Sequence, residues 1–234
     1  MANRQGKHTK NLKWVQDRLQ KAFGDKISIP ERNVLDELVY NLLLQGSAKE
    51  RAQKAFDAIK EEFHDWNEVR VTVPHTIADT IKGVGLEHVK SLRLVKILQG
   101  IFEDRSEADL EFLNEMNTEA IRTFLSQMEG IGKNSVETVL TFALGQGAFP
   151  SNKPALRFAS RFGFVPDDTS KASEKKIKEL IESTIEDDEM PEFVLLVEMH
   201  TEKLCKSSRP VCSKCNLSER CKFYAEKKKK KTGK

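Results

Sequence analysis

Four cysteines near the C-terminus constrain this chain more than any other feature. Cys205, Cys212, Cys215 and Cys221 follow the spacing C-x6-C-x2-C-x5-C within seventeen residues. Residues 205–223 hold few large apolar side chains, so the segment cannot bury a core of its own and needs a staple. Four thiolates this close can converge on one metal centre. Structural zinc sites usually pair two close Cys with a second close pair or with His. The wider outer gaps here suit a larger cubane with one Cys on each iron, and zinc or unliganded thiols are the rival readings. Lys203, Lys206, Arg209, Lys214, Arg220 and Lys222 surround the thiolates and would give the loop a basic face.

The rest of the chain reads as helix. Apolar residues recur at helical spacing in Val34, Leu35, Leu38, Val39 and Leu42, in Ala52, Ala55, Phe56 and Ile59, and in Val89, Leu92, Leu94, Val95 and Leu98. Further helices are expected over 121–128, 133–144, 152–162, 173–187 and 191–204, with a first one around Trp14, Leu19 and Phe23. Residues 110–116 read as a short helix. Gly24, Gly145 and Gly163 stand where helices should stop. The only β-branched run, Val69–Val73, is short and ends at Pro74. Many helices of ordinary length joined by short turns indicate an all-α protein.

With 234 residues, 38% hydrophobic, the chain can form one sizeable core or two smaller ones sharing an interface. Its formal net charge is only +3, so any nucleic-acid surface must come from local clustering of Lys and Arg. No apolar run approaches the roughly 20 residues that cross a bilayer, so no membrane partner is expected. The polar, basic N-terminus lacks the apolar stretch of a secretory signal. An intracellular, reducing location (cytoplasm or nucleoid) is therefore expected, where Cys are metal ligands or thiols rather than disulfides. Lys227–Lys231 lead into a polar terminus, and residues 224–234 are expected to be a basic disordered tail.

Met128-Glu129-Gly130-Ile131-Gly132 lies between two amphipathic helices. Two glycines flanking one aliphatic residue permit a tight turn, with Ile131 tucked between the helices and backbone N–H groups pointing outward. The next helix begins at once, so its positive dipole end would face out too. Such a joint grips phosphates without reading sequence. Gly83-Val84-Gly85 looks similar but lacks this context and reads as a structural turn with at most a minor DNA contact.

The cysteine spacing resembles, residue for residue, the 4Fe–4S loop of the endonuclease III family, with His200 five residues before the first Cys and Arg209-Pro210 inside the loop. The Gly130-Ile131-Gly132 joint stands at the family's distance from it. Leu42-Leu43-Leu44-Gln45-Gly46-Ser47 resembles the family's L-L-S-Q-N-T segment, although Gly46 replaces the usual Asn and Lys49 stands where Asp is common. Glu129 replaces a frequent Pro. The resemblance spans about residues 30–223 of the sequence. It implies a two-lobed helix–hairpin–helix DNA glycosylase fold with a C-terminal iron–sulfur cluster loop. Its implied divisions are an N-terminal helix over 1–32, a helical barrel over 33–148, and C-terminal helices with the cluster loop over 149–223. It implies a 4Fe–4S cofactor on the four Cys. The implied partner is double-stranded DNA, damaged or distorted and bound by a monomer across a cleft. Gln45 would be a wedge filling the place of a flipped base, and Gly130, Ile131, Gly132 and Lys133 would grip the backbone.

The same resemblance locates a gap. The family attacks the sugar's anomeric carbon with a Lys two positions after the hairpin's second Gly, and an Asp further on stabilises the developing cation. In this chain those positions are Asn134 and Asn152. An amide can neither form a Schiff base nor carry the negative charge. Asn152 can still cap the following helix, with Pro154 in its first turn. Lys153 is a possible replacement nucleophile, and Lys133 points about 100° around the helix from Asn134, towards phosphate. The expectation is a base-excision-repair type of binding protein with the standard chemistry absent or much reduced. The alternatives are a glycosylase using a residue such as Lys153, and a redox sensor on DNA.

Overall fold

Twelve α-helices and four short 3-10 turns make up the computed structural model, which describes residues 2–232; among these residues there is no strand. The chain divides into two compact units. One comprises Met1–Pro30 with Gly145–Lys234, and the other Glu31–Leu144.

The Glu31–Leu144 unit contains α2 (Val34–Leu44), α3 (Lys49–Glu62), α4 (Trp66–Val71), α5 (Pro74–Thr80), α6 (Glu87–Arg105), α7 (Thr118–Gln127) and α8 (Lys133–Phe142). α2 packs on α3 and α8, and α6 packs on α4 and α5. Most of the apolar periodicity seen in the sequence becomes the core, with Leu38, Leu43, Ile59, Ile77, Leu94 and Leu98 almost without solvent contact, whereas Val89 and Leu92 of the same pattern are exposed. Asn33, Asp65 and Asn117 cap α2, α4 and α7, their side chains accepting first-turn amides. Each such cap contributes about 1 kcal/mol. The β-branched run Val69–Val73 is not a strand: its first half closes α4, because the Asp65 cap and the buried Trp66 and Val69 decide the local structure over β propensity. Residues 111–115 form a 3-10 turn rather than an α-helix.

The other unit contains α1 (Ala2–Phe23), α9 (Lys153–Phe162), α10 (Lys171–Glu182), α11 (Met190–Lys203) and α12 (Lys222–Thr232). α9 touches α10, α11 and α12, and α1 lies on α10 and α11. Asp167 anchors the start of α10. It accepts amide hydrogens from Thr169 and Ser170 at 3.0 and 2.7 Å, and these bonds, Ser170's first, lower its pKa to about 2.

The expected disordered tail is corrected as far as it is described: residues 224–232 belong to α12. Half-buried Phe223 and Tyr224 begin that helix against α9, Arg161 stacks over Phe223 at 5.0 Å, and Lys, Ala and Glu are strong helix formers. Gly233 and Lys234 lie outside the described residues.

Candidate nucleic-acid interface and cysteine centre

The glycine joint connects α7 to α8 as expected, but its two glycines play different parts. Gly130 has φ +97°, and a Cβ there would stand 3.2 Å from Arg93 Cγ and from Ile97 Cγ1. Gly132 has φ −90°, and a Cβ on it would meet nothing within 4 Å. The turn therefore requires glycine at the first position only. At the second, the missing side chain leaves open space in front of the helix. Gly130→Ala should accordingly cost about 1–2 kcal/mol of stability in a urea melt. Gly132→Ala should leave the melt nearly unchanged and weaken binding to duplex instead.

Ile131 is half-buried rather than tucked fully between the helices, and Lys133 and Asn134 are exposed. α8 starts at Lys133 with Gly132 as its N-cap, and no side chain caps it. No side-chain oxygen therefore competes for the first-turn amides, which leaves the positive end of the helix to an anion. Glu129, an acid beside such a site, is accounted for by α6: Lys96 Nζ donates to it at 2.7 Å. That bond and the charge of Lys96 hold the Glu129 carboxyl below the usual carboxylate range.

Gln45 is exposed at the C-terminal end of α2, just before Gly46. Its amide is nevertheless held from two sides. Arg93 Nη1 donates to Oε1 at 3.2 Å, and Nε2 donates to Ser135 Oγ at 3.4 Å. Ser135 donates onward to Asn41 at 2.7 Å, while Arg93 Nε donates to the Gly130 carbonyl at 2.6 Å. The structure thus brings Gln45 and the glycine joint together through Arg93, a residue that sequence reasoning passed over. Its only signal was a cation on the polar side of α6.

Gly83-Val84-Gly85 is a braced loop. Glu87 accepts from the amides of Gly83 and Gly85 at 2.9 and 3.0 Å, and its own amide and these two keep its carboxyl acidic. Buried Lys90 donates to the Leu43 and Val84 carbonyls at 2.7 and 3.1 Å, and burial lowers its pKa. This loop and the end of α2 are therefore tied together. Leu86, in the left-handed region at φ +57°, is 72% exposed at the loop's tip. It too was missed, because an isolated Leu in a sequence carries no sign of exposure.

In the other unit, Asn152 caps α9 as expected, its side chain accepting from Ala155 N at 3.0 Å. Lys153 follows, exposed, in the first turn. Asn152 also lines a small pocket with Glu198.

The four Cys line one partly open pocket, whose other walls include Phe158, Phe162, Leu204 and Leu217. None forms a disulfide. Arg157 donates to the Cys205 carbonyl at 3.1 Å, and Arg161 donates to the Lys206 and Ser207 carbonyls at 2.6 and 2.9 Å. These bonds hold the loop's backbone on α9. Burial pushes the Cys215 thiol up to about 11 and raises Cys221 as well, which disfavours the thiolate form of these two. His200 also lines the pocket, 2% exposed, with burial lowering its pKa to about 4 and its Nδ1 lacking a protein partner.

Among the described residues no group of three or more His, Cys, Asp or Glu side chains is gathered closely enough for a single metal ion. Four thiols and the buried, unpartnered His200 Nδ1 line one largely apolar pocket, a donor set of the kind that could hold a metal group. The loop's Lys203, Lys206, Arg209, Lys214, Arg220 and Lys222 are all exposed.

No family model matches the chain. It is 28% identical over 197 residues to "Endonuclease III" of Sulfolobus acidocaldarius, which covers 83% of this chain and 84% of that protein. Its structure is similar to that of a non-covalent endonuclease III–DNA complex, with TM-score 0.78 at 18% identity over 94% of this chain and 98% of that one. A thermostable thymine-DNA glycosylase gives the same TM-score, 0.78, at 20% identity and the same coverages. Of the plant relatives it also matches, the chain spans 46% of one and 20% or less of the others. The fold is that of the helix–hairpin–helix DNA glycosylases, all-α as the sequence implied, and the resemblance to the endonuclease III family stands on sequence and structure together.

Proposed function

We propose that this chain is a monomeric DNA-binding protein of the endonuclease III type. It recognises damaged or distorted duplex DNA inside the cell, with the standard glycosylase and lyase chemistry absent or strongly reduced. The observation that carries this reading is the glycine joint feeding an uncapped helix N-terminus, with the Gln45 amide held beside it. The joint and α8 take the sugar–phosphate backbone through amides and dipole, and Lys133 adds charge. Gln45 offers a polar side chain to a vacated base position. Leu86, at the tip of the braced loop, offers an apolar one to the stack. The likeness to an endonuclease III in sequence, and in structure to an endonuclease III–DNA complex and a thymine-DNA glycosylase, supports DNA repair as the setting.

Cys205, Cys212, Cys215 and Cys221 are the ligands of a 4Fe–4S cluster in this reading. When bound, the cluster supplies Fe–S bonds that close the loop and set its exposed lysines and arginines in place. Asn134 and Asn152 remove the amine and the carboxylate on which the family's bond cleavage depends. What remains is positioning without a nucleophile.

A second reading, a working glycosylase, is favoured by one observation: Glu198 lines the same pocket as Asn152, so a carboxylate remains nearby, with Lys153 next in sequence. Borohydride trapping of a DNA adduct that disappears in Lys153→Ala would establish it.

Equilibrium binding tests the first reading. A duplex carrying a stable abasic analogue should bind more tightly than the intact duplex. Both affinities should fall roughly tenfold or more between about 50 and 200 mM salt. Salt-independent binding, or no preference between the duplexes, contradicts the proposal.

A further inference from the structure

We infer that Arg93 is a positioning residue that couples the glycine joint to Gln45 and thereby sets the preference for damaged over intact duplex; this rests on the proposed DNA-binding function. The guanidinium uses two edges of its fork at once. Nε donates to the Gly130 carbonyl at 2.6 Å, and Nη1 donates to Gln45 Oε1 at 3.2 Å. Arg93 Cγ lies 3.2 Å from where a Gly130 Cβ would stand, so the stem packs on the turn that the head bonds. One turn along α6, Lys96 pairs with Glu129 and Ile97 packs on Gly130. α6 is thus the bed of the joint, and Arg93 is the part of it that reaches across to α2.

The far end of the Gln45 amide is fixed as well, through Ser135 Oγ in the first turn of α8 and onward to Asn41. An exposed Gln ordinarily samples several rotamers, and fixing it on binding costs roughly 0.5–1.5 kcal/mol. Here that ordering is already done in the free chain. A charge-assisted fork aimed at the amide oxygen also fixes which way the amide faces. Lysine cannot replace it, because an ammonium is a point donor that cannot serve both acceptors in this geometry.

The test is a double-mutant cycle read as the affinity ratio between abasic-analogue and intact duplexes. Arg93→Lys should lower that ratio about tenfold while leaving the salt dependence of binding unchanged. Gln45→Ala should lower it by a similar factor, and the double variant should lose no more than either single one. If Arg93→Lys destabilises the chain in a melt, Ser135→Ala carries the test, because it frees the other end of the same amide and should lower the ratio in the same direction. Multiplicative losses in the double variant overturn the inference. So does the pattern of a simple phosphate contact: Arg93→Lys without effect, and Arg93→Met weakening both duplexes equally with a smaller salt slope. A natural chain that binds both duplexes alike overturns the proposed function itself. A natural chain that discriminates, with variants that do so equally well, overturns only the role of Arg93.

Discussion

The double variant Asn134→Lys, Asn152→Asp is expected to form a covalent adduct with abasic-site duplex that borohydride traps, where the natural chain forms none. The introduced amine can condense with the aldehyde of the open sugar, releasing water, and borohydride reduces the resulting imine to a stable amine. On the family resemblance, a carboxylate at position 152 would stabilise positive charge on the sugar. A term of that kind is worth about 10²–10³ or more in rate. Both changes suit the local structure. Asn134 is exposed in the first turn of α8, where Lys is a better helix former than Asn. Asn152 accepts the Ala155 amide as the cap of α9, and Asp caps as well as Asn while its charge favours the helix's positive end. The single variants rank the two parts: Asn134→Lys alone should give slow trapping, and Asn152→Asp alone none. A double variant that binds abasic duplex as tightly as the natural chain and is never trapped would show that these positions do not face the sugar.

Replacing any one of the four Cys by Ser should strip iron from the protein and lower the stability of the Met1–Pro30 and Gly145–Lys234 unit by more than about 4 kcal/mol. The reason is how little else closes the loop. Between 205 and 221 the only buried hydrophobic residue is Leu217, and α9 holds three loop carbonyls through two arginines. Ser207→Ala and Ser213→Ala, at exposed loop positions, should change neither iron content nor melting. Iron per chain and a thermal melt on the same samples check this. A Cys212→Ser protein that melts with the natural one would remove the staple from the account.

The helices and most of the core were legible because apolar periodicity reports burial directly: Leu38, Ile59 and Leu98 were written as inward faces and are inward. The glycine joint was legible as a turn, but its asymmetry was not. Only backbone dihedrals distinguish Gly130, which the chain itself requires, from Gly132, which it does not. Val69–Val73 shows a buried Trp and a cap overruling propensity, and α12 shows a lysine run kept helical by the aromatic residues before it. Arg93 and Lys90 were invisible because their partners, Gly130 and Leu43, lie tens of residues away and no local pattern encodes those contacts.

Recognition without the standard chemistry is decided by turnover on a lesion panel. The natural, iron-loaded chain is incubated with duplexes carrying oxidised, alkylated, deaminated, mismatched and abasic sites, first at catalytic and then at excess protein. The account expects retention of damaged duplex with no released base and no strand break beyond background at either concentration. Multiple turnover on any one of these substrates contradicts it.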